Sequence, residues 1–513
     1  MKNNLVMGAI ILTVAGVITR LFGFVFRIYM SNLIGAEGMG LYQLIIPLYM
    51  LTATLSTSGI SVAISKLIAE ENAKKQLGNV IKTLKASLLL SGVIGCFVGL
   101  FLLVNSIYIG EFFLKDSRTI LAIRFLAPCI PFMALSSCLR GYFYGIQDVS
   151  KPAIAQVLEQ SVRILVVYLI IGYWLPKGLE YACAAAVLGI TTGEIISCVY
   201  IFFAYRSSKK NNLHKNKPSI TLFSSIDAIL LIAVPITTSR TVSAVLKMAE
   251  NILIPVQLQI FGLSHNNALA TFGMLKGMVM PLLFFPTALL SSLAVTLVPA
   301  VSEANAVNGK RRIHHTVSKA LKYTMLVGIC MVSIFISFSY ELGIAIYHDK
   351  EVGEMLRMVA FICPFMYIQL IVVGILNGLG EQMVPFINSL FDSIISLFFV
   401  FFCIPIFGFK AYLWGMAVSS IVVSILNLHK LLNITSIMFD YSNWFFKPVI
   451  SALATGLTVH YISNVYIFPY IPIGAGVTLA IIALICVYFC FLLVLNSITT
   501  EDFLWLTNKA KKS

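Results

Sequence analysis

Long, almost uncharged apolar runs recur from one end of this sequence to the other, and nothing constrains its fold more. A helix needs about 20 apolar residues to cross the hydrocarbon of a bilayer. Such runs lie near 5–30, 42–65, 86–107, 120–143, 153–175 and 181–205. After a polar stretch they resume near 226–252, 269–300, 320–340 and 355–378, then 384–408, 411–430, 445–466 and 473–497. Only 11% of the 513 residues are charged, against about 25% in a soluble globular chain. That leaves too little polar surface to cover a water-soluble fold, so the solvent is lipid. Helices satisfy their own backbone groups where no water can. The pattern therefore predicts an all-α polytopic membrane protein of about fourteen transmembrane helices. Pro47, Pro281 and Pro286 are expected to break the second and eighth runs.

The net charge of +15 would suggest nucleic acid in a soluble protein. Here the basic residues collect in alternate loops: Lys66, Lys74, Lys75, Lys82 and Lys85, then Arg140 and Lys151, then Arg206, Lys209, Lys210, Lys215 and Lys217. Further along come Lys310, Arg311, Arg312, Lys319 and Lys322, then Lys430, Lys447 and the tail residues Lys509, Lys511 and Lys512. The intervening loops hold only Lys115, Arg118, Lys177, Lys350 and Lys410. Basic loops stay in the cytoplasm, so the expected place is the cell membrane, multi-pass, with both termini cytoplasmic and no nucleic-acid partner. The first run follows Lys2 like a secretory signal, but it continues past Arg20 to Tyr29 without a small-residue cleavage site, and reads as an uncleaved span.

Ten cysteines lie almost entirely inside apolar runs, with no CxxC pair and no Cys/His spacing suited to zinc. They read as small buried hydrophobes, including Cys486 and Cys490 one turn apart in the last run. No metal or cofactor is expected. The chain has no phosphate-binding GxxxxGK[ST] loop, no HExxH and no nucleophile elbow, and no Asp-x-Asp pair for glycosyl transfer. An enzyme is therefore not expected.

An internal repeat sets the organisation. At a fixed offset of 233 residues, 127–159 aligns with 360–392 without a gap. Ala127 matches Ala360, Pro131-Phe132-Met133 matches Pro364-Phe365-Met366, and Gly141, Gly145, Pro152 and Ile154 match Gly374, Gly378, Pro385 and Ile387. The offset covers six helices, an even number, so the repeats keep one membrane orientation. This predicts an N-lobe at 1–206, a basic cytoplasmic linker at 207–225, a C-lobe at 226–435, and helices 13 and 14 with a basic tail at 436–513. Two such lobes around a cavity suit alternating access.

Charges inside the membrane are costly, about 2.5–3.5 kcal/mol each on insertion scales, and need a partner or water. The first helix carries Arg20 and Arg27, seven residues apart and on one face. The seventh carries Arg240 and Lys247, with Glu250 one turn on, and the eighth carries Lys276. At about 1.5 Å per residue, Arg20 and Arg240 lie some 20 Å from the cytoplasmic end. Five cations against one carboxylate suit a cavity for a multiply charged anion such as a diphosphate. Glu159 and Arg163 are spaced to pair along one helix. Glu194 and Asp392 read as lone acids and candidate sites for Na⁺ or H⁺ coupling; the membrane potential is the other candidate driving force. The glycine-rich stretch Ile34–Gly40 is expected to be a turn, hinge or gate.

Several stretches together carry a resemblance: Gly38-Met39-Gly40-Leu41-Tyr42 running on to Pro47, Ala63-Ile64-Ser65-Lys66-Leu67-Ile68-Ala69-Glu70 and Leu139-Arg140-Gly141-Tyr142-Phe143-Tyr144-Gly145. To these add Gln156-Val157-Leu158-Glu159-Gln160-Ser161-Val162-Arg163, Pro235-Ile236-Thr237-Thr238-Ser239-Arg240 and Leu297-Val298-Pro299-Ala300-Val301-Ser302-Glu303-Ala304. The chain resembles the stage V sporulation protein B group of polysaccharide exporters, within the multidrug/oligosaccharidyl-lipid/polysaccharide superfamily. The resemblance covers the first twelve helices. It implies two six-helix lobes and, through kinship with MurJ-type flippases, two extra C-terminal helices. It also implies transport of a lipid-linked saccharide such as lipid II, in spore cortex peptidoglycan synthesis, with membrane lipids around it and peptidoglycan synthases as candidate partners. Arg20, Arg27 and Arg240 lie on the helices whose arginines face substrate in MurJ-type relatives. Lys247 and Lys276 rest on charge and depth alone. The competing expectations are a cation-coupled multidrug exporter and a non-transporting scaffold for cell-wall enzymes.

Overall fold

The computed structural model describes residues 2–210, 218–306 and 309–498. Lys215 and Lys217 of the basic linker and the tail with Lys509, Lys511 and Lys512 lie outside the described residues. Every regular element among the described residues is helical. Twelve helices are long and apolar enough to cross a membrane, or thirteen if Ser117–Leu126 and Cys129–Gly145, bent by 42°, form one span. The first of them, Ile11–Ala73, has 63 residues, about 95 Å of helix at 1.5 Å per residue. It is interrupted at Gly35, where φ is 68° and ψ −174°. A Cβ there would meet nothing within 4 Å, so the backbone angle and not crowding selects glycine.

The eighth apolar run is broken as Pro281 and Pro286 foretold, whereas Pro47, expected to break the second run, lies inside continuous helix. A helix ends at Gly273, a π-turn covers Met274–Val279, and a short helix stops at Phe284 before the turn at Phe285 and Pro286. A further helix then runs from Thr287 to Ala306.

Packing divides the chain into two units, Met1–Gly273 and Met274–Ser513. The first contains α1 (Lys2–Ala73), α2 (Leu77–Val104), α3 (Cys129–Gly145), α4 (Ser150–Trp174), α5 (Leu179–Lys210), α6 (Leu222–Ile260) and α7 (His265–Gly273). Ile64, Ile68, Leu84, Phe143, Ile201 and Ile229 form part of its core. Close backbone approach lets α1 pack on α6 and α7. A Cβ on Gly59 would fall 2.1 Å from the Ala233 carbonyl oxygen, and one on Gly273 would fall 2.1 Å from that of Ala36. Between apolar helices in lipid, such contact supplies the attraction that burial from water supplies elsewhere.

The second unit contains α8 (Thr287–Ala306), α9 (Lys310–Ser337), α10 (Cys363–Gly378), α11 (Met383–Phe398), α12 (Phe409–Thr435), α13 (Lys447–Tyr466) and α14 (Ile473–Val494). Polar side chains tie these helices together. The Ser333 hydroxyl of α9 donates to the Ala452 carbonyl of α13 at 2.8 Å, and Tyr488 of α14 donates to Leu326 of α9 at 3.1 Å. Asn388 and Asn427 pair at 2.8 Å between α11 and α12.

Many large apolar side chains point outward, among them Leu231, 80% exposed, and Phe97, 71% exposed. In water that pattern would aggregate; in lipid it is the expected surface. It also corrects one expectation. Cys96, Cys486 and Cys490 are exposed, whereas Cys129, Cys138, Cys183, Cys198, Cys330 and Cys363 are buried. An apolar run has an outer face as well as an inner one, and hydropathy alone does not tell them apart.

Candidate functional site

The first unit brings four of the five expected cations onto two neighbouring helices. Arg20 and Arg27 stand on α1, Arg240 and Lys247 on α6, and all four side chains are exposed. Helices α1 and α6 touch at Gly59, Ala233 and Thr237, with Arg240 one turn beyond Thr237. Glu250, on the same helix, is buried. Arg27 also lies close enough to Tyr42 to act on it electrostatically, as does Arg163. The fifth cation, Lys276, belongs to the second unit. It sits half-buried in the π-turn Met274–Val279, with its ammonium 5.4 Å from the centre of the Tyr412 ring. That is within cation–π range, and the attraction is larger away from water. Asp392 is half-buried on α11 in the same unit.

A second cluster forms inside the first unit. The Arg140 guanidinium of α3 donates to Glu159 of α4 at 2.9 Å and to the Ser197 hydroxyl of α5 at 2.8 Å. The Glu194 carboxylate of α5 lies 4.0 Å from the same nitrogen. Arg163 bonds the other Glu159 oxygen at 3.2 Å, and the Tyr49 hydroxyl of α1 donates to Glu194 at 3.5 Å. Two carboxylates and two guanidiniums thus form a tetrad on three helices, and Tyr49 links it to a fourth. The i, i+4 pairing of Glu159 with Arg163 is present as the spacing predicted. Glu194 is not alone, as its apolar run had implied. Arg140 is not a loop residue either, because it lies in α3, with its side chain only 22% exposed. Its position three residues inside the expected run 120–143 was the available signal. The Nε atoms of Arg140 and Arg163 and one Glu194 oxygen are buried with no hydrogen-bond partner, so the tetrad keeps polar capacity in reserve.

A third group lies by the break in α1. Arg118 donates to Glu37 at 2.6 Å and grips Asp116 through Nε at 3.0 Å and Nη2 at 2.7 Å. His265, at the start of α7, lies 2.9 Å from Asp116. This clasp ties the segment after Gly35 to the loop before α3 and to α7. Burial alone would raise the Asp116 carboxyl, but hydrogen bonds from Arg118 and His265 outweigh it and hold the group below the usual carboxylate range. Among the described residues no three His, Cys, Asp or Glu side chains are grouped to hold a metal.

Comparison with known proteins agrees with this architecture. A family model described as polysaccharide biosynthesis protein matches residues 5–305, and one described as MatE matches 260–402. Stage V sporulation protein B of Bacillus subtilis (strain 168) is 31% identical over 90% of this chain and 90% of its own. Lipid II flippase MurJ of the same organism is 23% identical over 77% of each. Among solved structures, lipid II flippase MurJ in an inward closed conformation superposes with a TM-score of 0.64 at 17% identity. It covers 94% of this chain and 98% of that one. An inward-facing multidrug resistance MATE family transporter also gives 0.64, at 15% identity over 83% and 98%. The chain is a multi-pass membrane transporter, not an enzyme, and it belongs to the polysaccharide biosynthesis protein family of the multidrug/oligosaccharidyl-lipid/polysaccharide superfamily.

Proposed function

We propose that this protein is a flippase that moves a polyprenyl-diphosphate-linked saccharide, lipid II or a related peptidoglycan precursor, from the inner to the outer leaflet by alternating access. The observation that carries this reading is the set Arg20, Arg27, Arg240 and Lys247, all exposed on α1 and α6 of one packed unit. An arginine in mid-span is costly against hydrocarbon, so it pairs, snorkels or faces a polar cavity, where an anion satisfies it well. A diphosphate is such an anion, and guanidinium forks hold it in two-point fashion. Glu250 limits the positive charge, which lets the ligand leave.

The topology that goes with this reading has fourteen crossings. Helix α1 crosses twice, either side of Gly35, and the bent pair Ser117–Gly145 crosses once. Two lobes at 1–206 and 226–435, the linker 207–225 and the segment 436–513 complete it, with both termini cytoplasmic. The names of the relatives, a sporulation protein and a lipid II flippase, support a cell-wall lipid as cargo.

The test is translocation of labelled lipid II by the purified protein in proteoliposomes. The expected result is label in the opposite leaflet, reduced about tenfold or more in Arg20→Ala and Arg240→Ala. Absence of translocation under imposed potential and ion gradients, or full activity in both variants, would sink the reading. A second reading, a cation-coupled drug exporter, draws on the buried Glu194 oxygen without a hydrogen-bond partner. Drug efflux that needs a Na⁺ or H⁺ gradient and fails in Glu194→Gln would favour it.

A further inference from the structure

We propose that the second unit carries a binding site for a phosphate group, either the headgroup of an anionic lipid or a free phosphate, where α8, α10 and α12 end and α9 begins. A cavity of about 400 Å³ opens there. Its polar wall is made by Asn305, Lys310, Arg311, His314, Thr435 and Ser436, three aliphatic side chains complete it, and no acid lines it. That volume is within the range of small-molecule sites and admits a phosphodiester with part of its glycerol.

The charge balance distinguishes this cavity from an ordinary basic loop. Arg312, beside it in sequence but not in its wall, has Glu303 at 3.6 Å, and Lys430 nearby has Glu381 at 3.8 Å. Lys310 and Arg311, which line the cavity, have no carboxylate within ion-pair distance among the described residues. Two full charges, and a third when His314 is protonated, therefore face one concavity uncompensated. The backbone adds to them. Helix α9, 28 residues long, starts at Gly309 with no side-chain cap. The Arg312 and Ile313 amides bond the Gly309 carbonyl, which leaves those of Lys310 and Arg311 without an acceptor inside the helix. Free amides at the positive end of a long helix favour an anion. The Ser436 hydroxyl lines the cavity as a further donor, while that of Thr435 already donates to the Leu431 carbonyl at 2.7 Å.

A basic pocket between the ends of membrane helices is where an anionic headgroup binds, because the acyl chains stay in the bilayer while the phosphate meets fixed cations. The orientation proposed above puts this pocket at the cytoplasmic leaflet. The chemistry of the site stands apart from the flippase reading, since binding alone tests it.

The experiment is thermal unfolding of the purified full-length protein in detergent, titrated separately with short-chain phosphatidylglycerol, short-chain phosphatidylcholine and inorganic phosphate. A ligand of the native state raises Tm in a saturable way. Phosphatidylglycerol is expected to do so and phosphatidylcholine not. The double substitution K310Q/R311Q should weaken the apparent affinity by about tenfold or more, the reversal K310E/R311E should abolish it, and R312Q should leave it unchanged. All three change exposed side chains, and an unaltered elution profile in size exclusion checks that each variant folds. A response to inorganic phosphate with the same dependence on Lys310 and Arg311 identifies a soluble ligand. A response to phosphatidylglycerol alone identifies a lipid. No saturable response to either anion, or one that persists in K310Q/R311Q, overturns the proposal.

Discussion

Arg140 holds the buried tetrad together, since its guanidinium reaches Glu159, Ser197 and Glu194 from a third helix. Removing one member of a buried ion pair costs about 3–5 kcal/mol, because the charge left behind is unsolvated. Arg140→Gln should destabilise the protein by about that much, seen as a lower Tm in detergent. Adding Glu159→Gln should then recover part of the loss, because the stranded carboxylate is gone. A double-mutant cycle measures the coupling, and strict additivity would mean that the pair does not hold the helices. The sequence disclosed half of this site. Glu159 and Arg163 are four residues apart on one helix, so local geometry alone predicts their bond. Glu159 lies 19 residues from Arg140, and Ser197 lies 57 away. Convergence over such separations is a product of helix packing, which one sequence without its fold does not display. Assigning Arg140 to a basic loop followed from its place near the end of an apolar run, where a snorkelling cation and a buried one look alike.

Between elements, the clasp Glu37–Arg118–Asp116–His265 joins three segments that the sequence separates widely. Asp116 has a depressed pKa in the fold, so its contribution is complete above the unfolded value of about 3.9. It is lost as pH falls through the lower folded value. The Tm difference between wild type and Asp116→Asn should therefore stay constant from about pH 8 to pH 5 and shrink below about pH 4. A difference that shrinks already at neutral pH would assign the stability to another group. Element lengths were legible because the bilayer dictates about 20 apolar residues per crossing. Element breaks were legible in part. Pro281 and Pro286 marked the interruption of the eighth run, where a missing N–H and a ring clash favour a break, but Pro47, Pro235 and Pro255 stay inside their helices. The glycine-rich stretch 34–40 reads as a turn, yet only Gly35 leaves the helix, and Ala36–Gly40 are helical again. Glycines there serve close packing, as at Gly40 beneath Leu269, and composition does not separate that use from a turn.

At the scale of the whole chain, the proposed lobes and the packing divide the sequence differently. The proposed second lobe begins after the linker, but α6 and α7 pack with α1 in the first unit. The topology itself turns on α1. Its 63 residues make one crossing with a long extension or two crossings that meet at Gly35. Parity separates the two. If α1 crosses twice, Lys74, Lys75 and Gln76 return to the side of the N-terminus; if it crosses once, they and every later loop change sides. The Lys74, Lys151 and Arg206 clusters share a side in either case, and two crossings place the N-terminus with Lys2 on that same basic, cytoplasmic side. Green fluorescent protein fused after Gln76, after Gln147 and after Ser208 should fluoresce in all three cases. Alkaline phosphatase should be active only when fused in the intervening loops, at Lys115 and at Lys177. Phosphatase activity at Gln76 would put that loop outside and, with a cytoplasmic N-terminus, leave α1 a single crossing. It would reverse the orientation assigned to Arg240 relative to the cargo's point of entry, and a flippase working outward would then have to be argued from the opposite leaflet.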